Sequence, residues 1–282
     1  MNYRHAFHAG NFADCVKHAV LVWLLHALQR KPAPMFVLDT HAGAGRYELA
    51  AGPAARTGEW RDGIARLLDD PPAALTAYLE AAGSLSTGHD GEEEPAHYPG
   101  SPCLIRRLLR PDDRLACCEL HAEDALALRH LFARDGQVAV HRRDAWEAIG
   151  ALLPPKERRG LVMVDPPYEE RDEFARVARG LAAGHARFSN GVFVAWYPIK
   201  QRAPVRQFLS DMRESGIRDI VSAELCLREP VDAARLNGCG LLVINPPYRF
   251  ELEVQPILDA LLARLGDREA GEYAAIARIA DE

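Results

Sequence analysis

The sequence contains no Cys-x-x-Cys pair and no His pair at zinc-finger spacing. Its six cysteines, Cys15, Cys103, Cys117, Cys118, Cys226 and Cys239, therefore read neither as a metal site nor as a disulfide framework. Adjacent Cys117 and Cys118 fall in a strand-like run and read as buried or half-buried thiols. No apolar run is long enough to span a bilayer. The opening stretch, MNYRHAFHAGNFADCVKH, is polar and His-rich and lacks the apolar core of a signal peptide. These absences argue against a membrane partner and for a cytoplasmic location. A basic excess is missing too. With 34 Lys+Arg against 40 Asp+Glu the net charge is −6, which argues against a nonspecific nucleic-acid coat but not against a local basic face. Part of the acidic excess sits in HDGEEEP (89–95), which reads as a solvated loop. HRR (141–143), KERR (156–159) and IKQR (199–202) read individually as wet surface.

What is present is an ordinary globular composition, 48% hydrophobic and 26% charged over 282 residues. That length can bury one large α/β core, with or without an insertion. Apolar spacing predicts a helix over 14–29, which Pro32 and Pro34 stop. Strands are predicted over 35–39, 114–120, 137–145, 160–168 and 191–198, with helices over 122–134, 145–153, 172–188 and 203–216 between or after them. This alternation predicts a Rossmann-like parallel sheet with helices on both faces. Two late strands, 219–229 and 240–248, are joined only by PVDAARLNGC, too short for a crossover helix, so the last strand of this series should be antiparallel. The expected division is a core of residues 1–52 and 101–282 with a small helical insertion at 53–100.

The candidate chemistry lies at strand ends, where open α/β sheets bind ligands. LDTHAGAGRY puts Asp39 at the end of a strand and Gly43 and Gly45 in the following turn. The dinucleotide fingerprint G-x-G-x-x-G is incomplete, because Glu48 stands where its third glycine belongs. Glu119 closes the second predicted strand, where a carboxylate can accept both ribose hydroxyls. Asp144 follows the third, where a carboxylate can accept from an adenine amine. Together these describe a nucleoside site without phosphates, as S-adenosylmethionine requires. MVDPPYEE (163–170) then ends a strand in Asp-Pro-Pro-Tyr, an arrangement that holds an amino group for methyl transfer. Asp165 and the Pro166 carbonyl can accept hydrogen bonds from an exocyclic amine, and Tyr168 offers a face for stacking the base. A base inside a helix cannot reach such a pocket and must be flipped out or already unpaired. VINPPYRF (243–250) repeats the motif, but Asn245 ends the antiparallel strand. It should emerge on the opposite sheet edge, as a structural turn.

In these residues the chain resembles the bacterial 23S ribosomal RNA adenine-N6 methyltransferases of the large-subunit J type. The resemblance covers nearly the whole chain and rests on YRHAFHAGNFADCVKH, LDTHAGAGRYEL, RTGEW, YPGSP, CELH, RGLVMVDPPYE, WYP and VINPP. It implies a class I S-adenosylmethionine-dependent methyltransferase fold, RNA binding and rRNA processing. It implies cofactor contacts at His18, His41, Gly43, Ser101, Glu119, Asp144, Ala145 and Asp165, with Asp165 as proton acceptor and Tyr3, Arg4 and Tyr168 toward the substrate. Read alone, His18 and His41 are a helix-face and a turn histidine, and the resemblance reverses that reading. The implied partner is 23S ribosomal RNA, protein-free or in an early assembly state, with no metal and no obligate protein partner. The alternatives are a DNA-binding or DNA-utilisation factor without catalysis, and an amino-methyltransferase acting on DNA.

Overall fold

Residues 4–83 and 97–281 are described by the computed structural model. The acidic stretch 89–95 and Tyr3 lie outside them. Five strands run parallel: β1 (Phe36–Asp39), β4 (Arg114–Cys118), β5 (Val138–His141), β6 (Gly160–Val164) and β7 (Val192–Ile199). β9 (Gly238–Ile244) pairs antiparallel with both β7 and β8 (Ile220–Cys226). β10 (Tyr273–Ala280) adds antiparallel to β8, giving the order β10-β8-β9-β7-β6-β1-β4-β5. The hairpin between β8 and β9 agrees with the sequence reading, and β10 lies beyond the last strand read there.

The inner strands β6 and β9 are apolar and buried throughout because helices cover both faces. Alternate residues point to opposite sides. In β6, Leu161 and Met163 join one core, while Val162 and Val164 join the other. The first core contains α1 (Phe12–Gln29), α5 (Ser101–Leu108) and α10 (Phe250–Leu265). The second contains α7 (Ala145–Leu152), α8 (Glu173–Arg187) and α9 (Arg202–Glu214). α6 (Ala122–Leu131) follows β4.

α1 begins where the Asn11 side chain accepts from the Asp14 amide, a standard N-cap. It is buried along most of its length, including the charged Asp14 and Lys17. Between β1 and α5 the chain forms α2 (Gly52–Thr57), α3 (Ile64–Leu68) and α4 (Thr76–Ala82). β2 (Arg46–Glu48) and β3 (His97–Pro99) form a small separate antiparallel pair at the two ends of this excursion. Trp60, Ile64, Leu67 and Tyr78 from it enter the same core as α1. Among the described residues no helix is long and apolar enough to cross a membrane.

Candidate active site

A cleft of about 840 Å³ opens along the carboxyl edge of the parallel strands. That is the size of a small-molecule site. Asp39, Glu119, Asp144 and Asp165 stand at or just after the ends of β1, β4, β5 and β6, and all but Asp39 directly line the cleft. Asp39 lies fully buried beneath it. The Ser101 hydroxyl donates to Asp39 at 2.7 Å from the first residue of α5. Burial, with a contribution from the charge of Asp165, pushes the Asp39 carboxyl up to about 6.

The glycine turn cannot serve as a phosphate cradle. The Gly43 amide donates to Glu119 Oε2 at 2.9 Å, and the Ala44 amide donates to the Tyr47 hydroxyl at 3.2 Å. Gly43 has φ +59°, and a Cβ there would sit 2.2 Å from the Tyr47 oxygen, so only glycine fits. The other Glu119 oxygen accepts from the His121 amide at 2.7 Å, and burial raises its pKa. Asp144 caps α7 with one oxygen, accepting from Trp146 N at 2.9 Å and Glu147 N at 3.2 Å. Ala145 follows as the first, buried residue of that helix. Carboxylates therefore dominate this half of the cleft. These acceptors fit the hydroxyls and cationic sulfonium of a nucleoside such as S-adenosylmethionine better than a nucleotide phosphate.

His18 and His41 line the same cleft. Burial lowers His18 to about 3 and His41 to about 4, so both rings are neutral at pH 7. His41 Nδ1 accepts from the Asp165 amide at 3.3 Å. Arg4 does not line the cleft; its guanidinium lies 2.7 Å from Glu123 in the first turn of α6.

β6 stops at Val164 because Pro166 and Pro167 have no N–H to continue the ladder. Tyr168 follows with φ +52°. Its hydroxyl donates to the Trp196 carbonyl at 2.8 Å, and its ring packs beside Phe174 and Trp196. Sequence reading missed the partner of Asp165. Lys17 Nζ donates to Asp165 Oδ2 at 2.7 Å and lies 2.8 Å from Asp14 Oδ1. Burial pulls the Lys17 pKa down, but Asp14 and Asp165 more than offset it and hold the ammonium well above its usual value. Asp14 also accepts from the Gly10 amide at 2.9 Å and lies 3.0 Å from His5. Burial opposes its charge, yet His5 and Lys17 keep its pKa well below the usual carboxylate range. One Asp165 oxygen is thus tied to a fixed cation, while the residue lines the cleft beside Tyr168.

Asn245 lies at the other edge. Ile244 pairs with Phe193 near the start of β7, and the Asn245 amide side chain donates to the Ser189 and Gly191 carbonyls at 2.8 and 2.7 Å. The second Pro-Pro-Tyr motif is away from the cleft, as the strand order predicts. Among the described residues no cluster of His, Cys, Asp and Glu could hold a metal ion.

Residues 32–277 match the family described as Ribosomal RNA large subunit methyltransferase D, RlmJ. The chain is 40% identical over 267 residues to "Ribosomal RNA large subunit methyltransferase J" of Escherichia coli, covering 94% of each chain. It is 38% identical over 275 residues to the protein of the same name from Haemophilus influenzae, covering 97% of each. A crystal structure of a Legionella pneumophila protein superposes with a TM-score of 0.85 at 34% identity, over 96% of this chain and 98% of that one.

Proposed function

This chain belongs to the family described as Ribosomal RNA large subunit methyltransferase D, RlmJ, and on that premise we propose that it transfers a methyl group from S-adenosylmethionine to the exocyclic amine of an adenine in 23S ribosomal RNA. The observation that carries the reading is Asp165, pinned by Lys17 at 2.7 Å on the cleft that the other strand-end carboxylates share. His18, His41, Gly43, Ser101, Glu119, Asp144 and Ala145 form the cofactor side. Glu119 accepts the ribose hydroxyls and Asp144 the adenine amine. The cofactor supplies an electrophilic methyl group on a sulfonium.

The protein's task is to turn a poor nucleophile toward that methyl. The amine lone pair of adenine is delocalised into the ring. Asp165 Oδ1 and the Pro166 carbonyl accept its two N–H bonds and draw the lone pair out of the ring plane, and Asp165 then receives the proton released when the N–C bond forms. Lys17 is the positioning cation, since its bond to Oδ2 fixes the carboxylate's orientation. The Tyr168 ring, anchored through its hydroxyl to the Trp196 carbonyl, takes the face of the flipped base. A base must leave its helix to reach this recess, which favours protein-free rRNA or an early assembly state in the cytoplasm. On the substrate side the cleft is rimmed by Lys200, Arg228 and Arg235. These cations supply a local basic face on an acidic chain and take phosphates that flank the target.

The test is label transfer from methyl-labelled S-adenosylmethionine to protein-free 23S rRNA, to assembled large subunits and to duplex DNA. Incorporation into the protein-free RNA supports the reading. Incorporation into DNA alone, or RNA binding with no transfer, supports a DNA enzyme or a non-catalytic binding factor instead.

A further inference from the structure

His18 is 1% exposed, and its ring can offer the cleft either a donor or a lone pair. A neutral imidazole carries a single N–H, so the tautomer decides which. Its Nδ1 lies 2.7 Å from the Tyr98 hydroxyl, and the two rings stack at 5.5 Å and 26°. The Tyr98 oxygen lies 2.8 Å from the Tyr78 hydroxyl. Tyr98 and Tyr78 are 0% and 2% exposed, so neither reaches bulk water. Tyr78 sits on α4, within the helical excursion, and Tyr98 on β3 where that excursion rejoins the core.

We propose that Tyr98, backed by Tyr78, is a positioning residue that fixes His18 as the Nε2–H tautomer and so makes it the N–H donor for the cofactor's carboxylate. This rests on the cofactor reading given above. Each phenol has one O–H to give. The order Tyr78 to Tyr98 to His18, with Cys15 hydrogen-bonded to Tyr78 at the far end, ends on an Nδ1 lone pair and leaves the proton on Nε2. The opposite order would turn a lone pair toward the cleft. The half of the cleft that holds the cofactor is lined by Glu119 and Asp144 and underlain by Asp39. A carboxylate entering it needs a donor, and burial prevents His18 from meeting that need by taking a second proton. His41 is no parallel case, since its Nδ1 faces both the Asp165 amide at 3.3 Å and the Thr40 hydroxyl at 2.8 Å. The helical excursion thereby reaches the cofactor site through two buried hydroxyls without lining it at Tyr78 or Tyr98.

Nitrogen-15 correlation spectra of the full chain read the tautomer directly, with and without S-adenosylmethionine, and calorimetry reads the cofactor affinity. Wild type should show His18 as Nε2–H in both states. Tyr98→Phe keeps the ring and removes the donor. It should give a mixed or Nδ1–H tautomer and weaken cofactor binding by about 10-fold, by analogy with the low end of losses on removing outer-shell partners of metal-ligating histidines, with kcat at saturating cofactor within a few-fold. Tyr78→Phe should shift the same two readouts by less. An Nδ1–H tautomer in wild type, or wild-type affinity in Tyr98→Phe, would overturn the proposal. A wild-type protein that shows Nε2–H but binds no S-adenosylmethionine would keep the relay and overturn the cofactor assignment.

Discussion

Lys17 and Asp165 are 148 residues apart in sequence and meet at 2.7 Å. Removing the carboxylate takes away the acceptor that orients the amine, so Asp165→Ala should lower kcat by about 10² to 10⁴ on protein-free rRNA. The check is steady-state kinetics beside a melting curve, and a variant within a few-fold of wild type contradicts the assignment. Asp39 gives a second prediction, on stability. Its pKa in the fold is raised to about 6, so the folded state holds this proton where the unfolded chain has lost it. Folding therefore loses stability as pH rises from about 4 to about 6 and does not regain it above, a penalty on the order of 3 kcal/mol. Asp39→Asn should remove that slope and raise Tm at pH 8, as melting curves from pH 4 to 8 would show. Lower stability of the variant at pH 8 would contradict it. The carboxylates were legible because a strand's apolar run marks its own end, and parallel strands bring their ends to one edge. Lys17 was not, because its partner is remote and the run around it is apolar. The only local sign was Asp14 three residues earlier, a charge pair inside a buried helix.

The hairpin of β8 and β9 decides which Pro-Pro-Tyr copy can act. Asn245 has φ +54° and donates to two carbonyls of the loop before β7. Asn245→Ala should cost roughly 1–3 kcal/mol of stability, through two missing hydrogen bonds and a left-handed backbone, with turnover unchanged. Paired kinetics and denaturation check this, and a loss of turnover at full stability would put the strand order in error. The order itself was legible because ten residues cannot make a crossover, which forces an antiparallel return. β10 was not, because YAAIARIA is rich in alanine and lacks the β-branched signature of a strand. Its pairing with β8 and its packing against α10, not its propensity, hold it there. β2 and β3 have three residues each, too few for alternation to register.

Across the whole molecule a net charge of −6 must coexist with binding to a polyanion. Arg228 is held by Glu269 at 2.9 Å, and Arg235 lies farther from the same carboxylate, at 3.6 Å. Lys200 is exposed where the β8–β9 loop is tied back to it, the Asn237 side chain donating to the Lys200 carbonyl at 2.9 Å. Replacing Lys200 and Arg235 by Ala should raise KM for RNA and lower the slope of log affinity against log salt by about one for each phosphate no longer neutralised, with cofactor affinity unchanged. Anisotropy titrations over a salt series test this, and an unchanged slope would place the RNA elsewhere. The central claim is the identity of the atom that receives the methyl group. It is tested most directly by nucleoside mass spectrometry of protein-free 23S rRNA after incubation with methyl-labelled S-adenosylmethionine. The account predicts label in N6-methyladenosine with the wild-type protein and an initial rate of labelling about 10² to 10⁴ lower with Asp165→Ala. Label in any other nucleoside, or equal initial rates with both proteins, would contradict it.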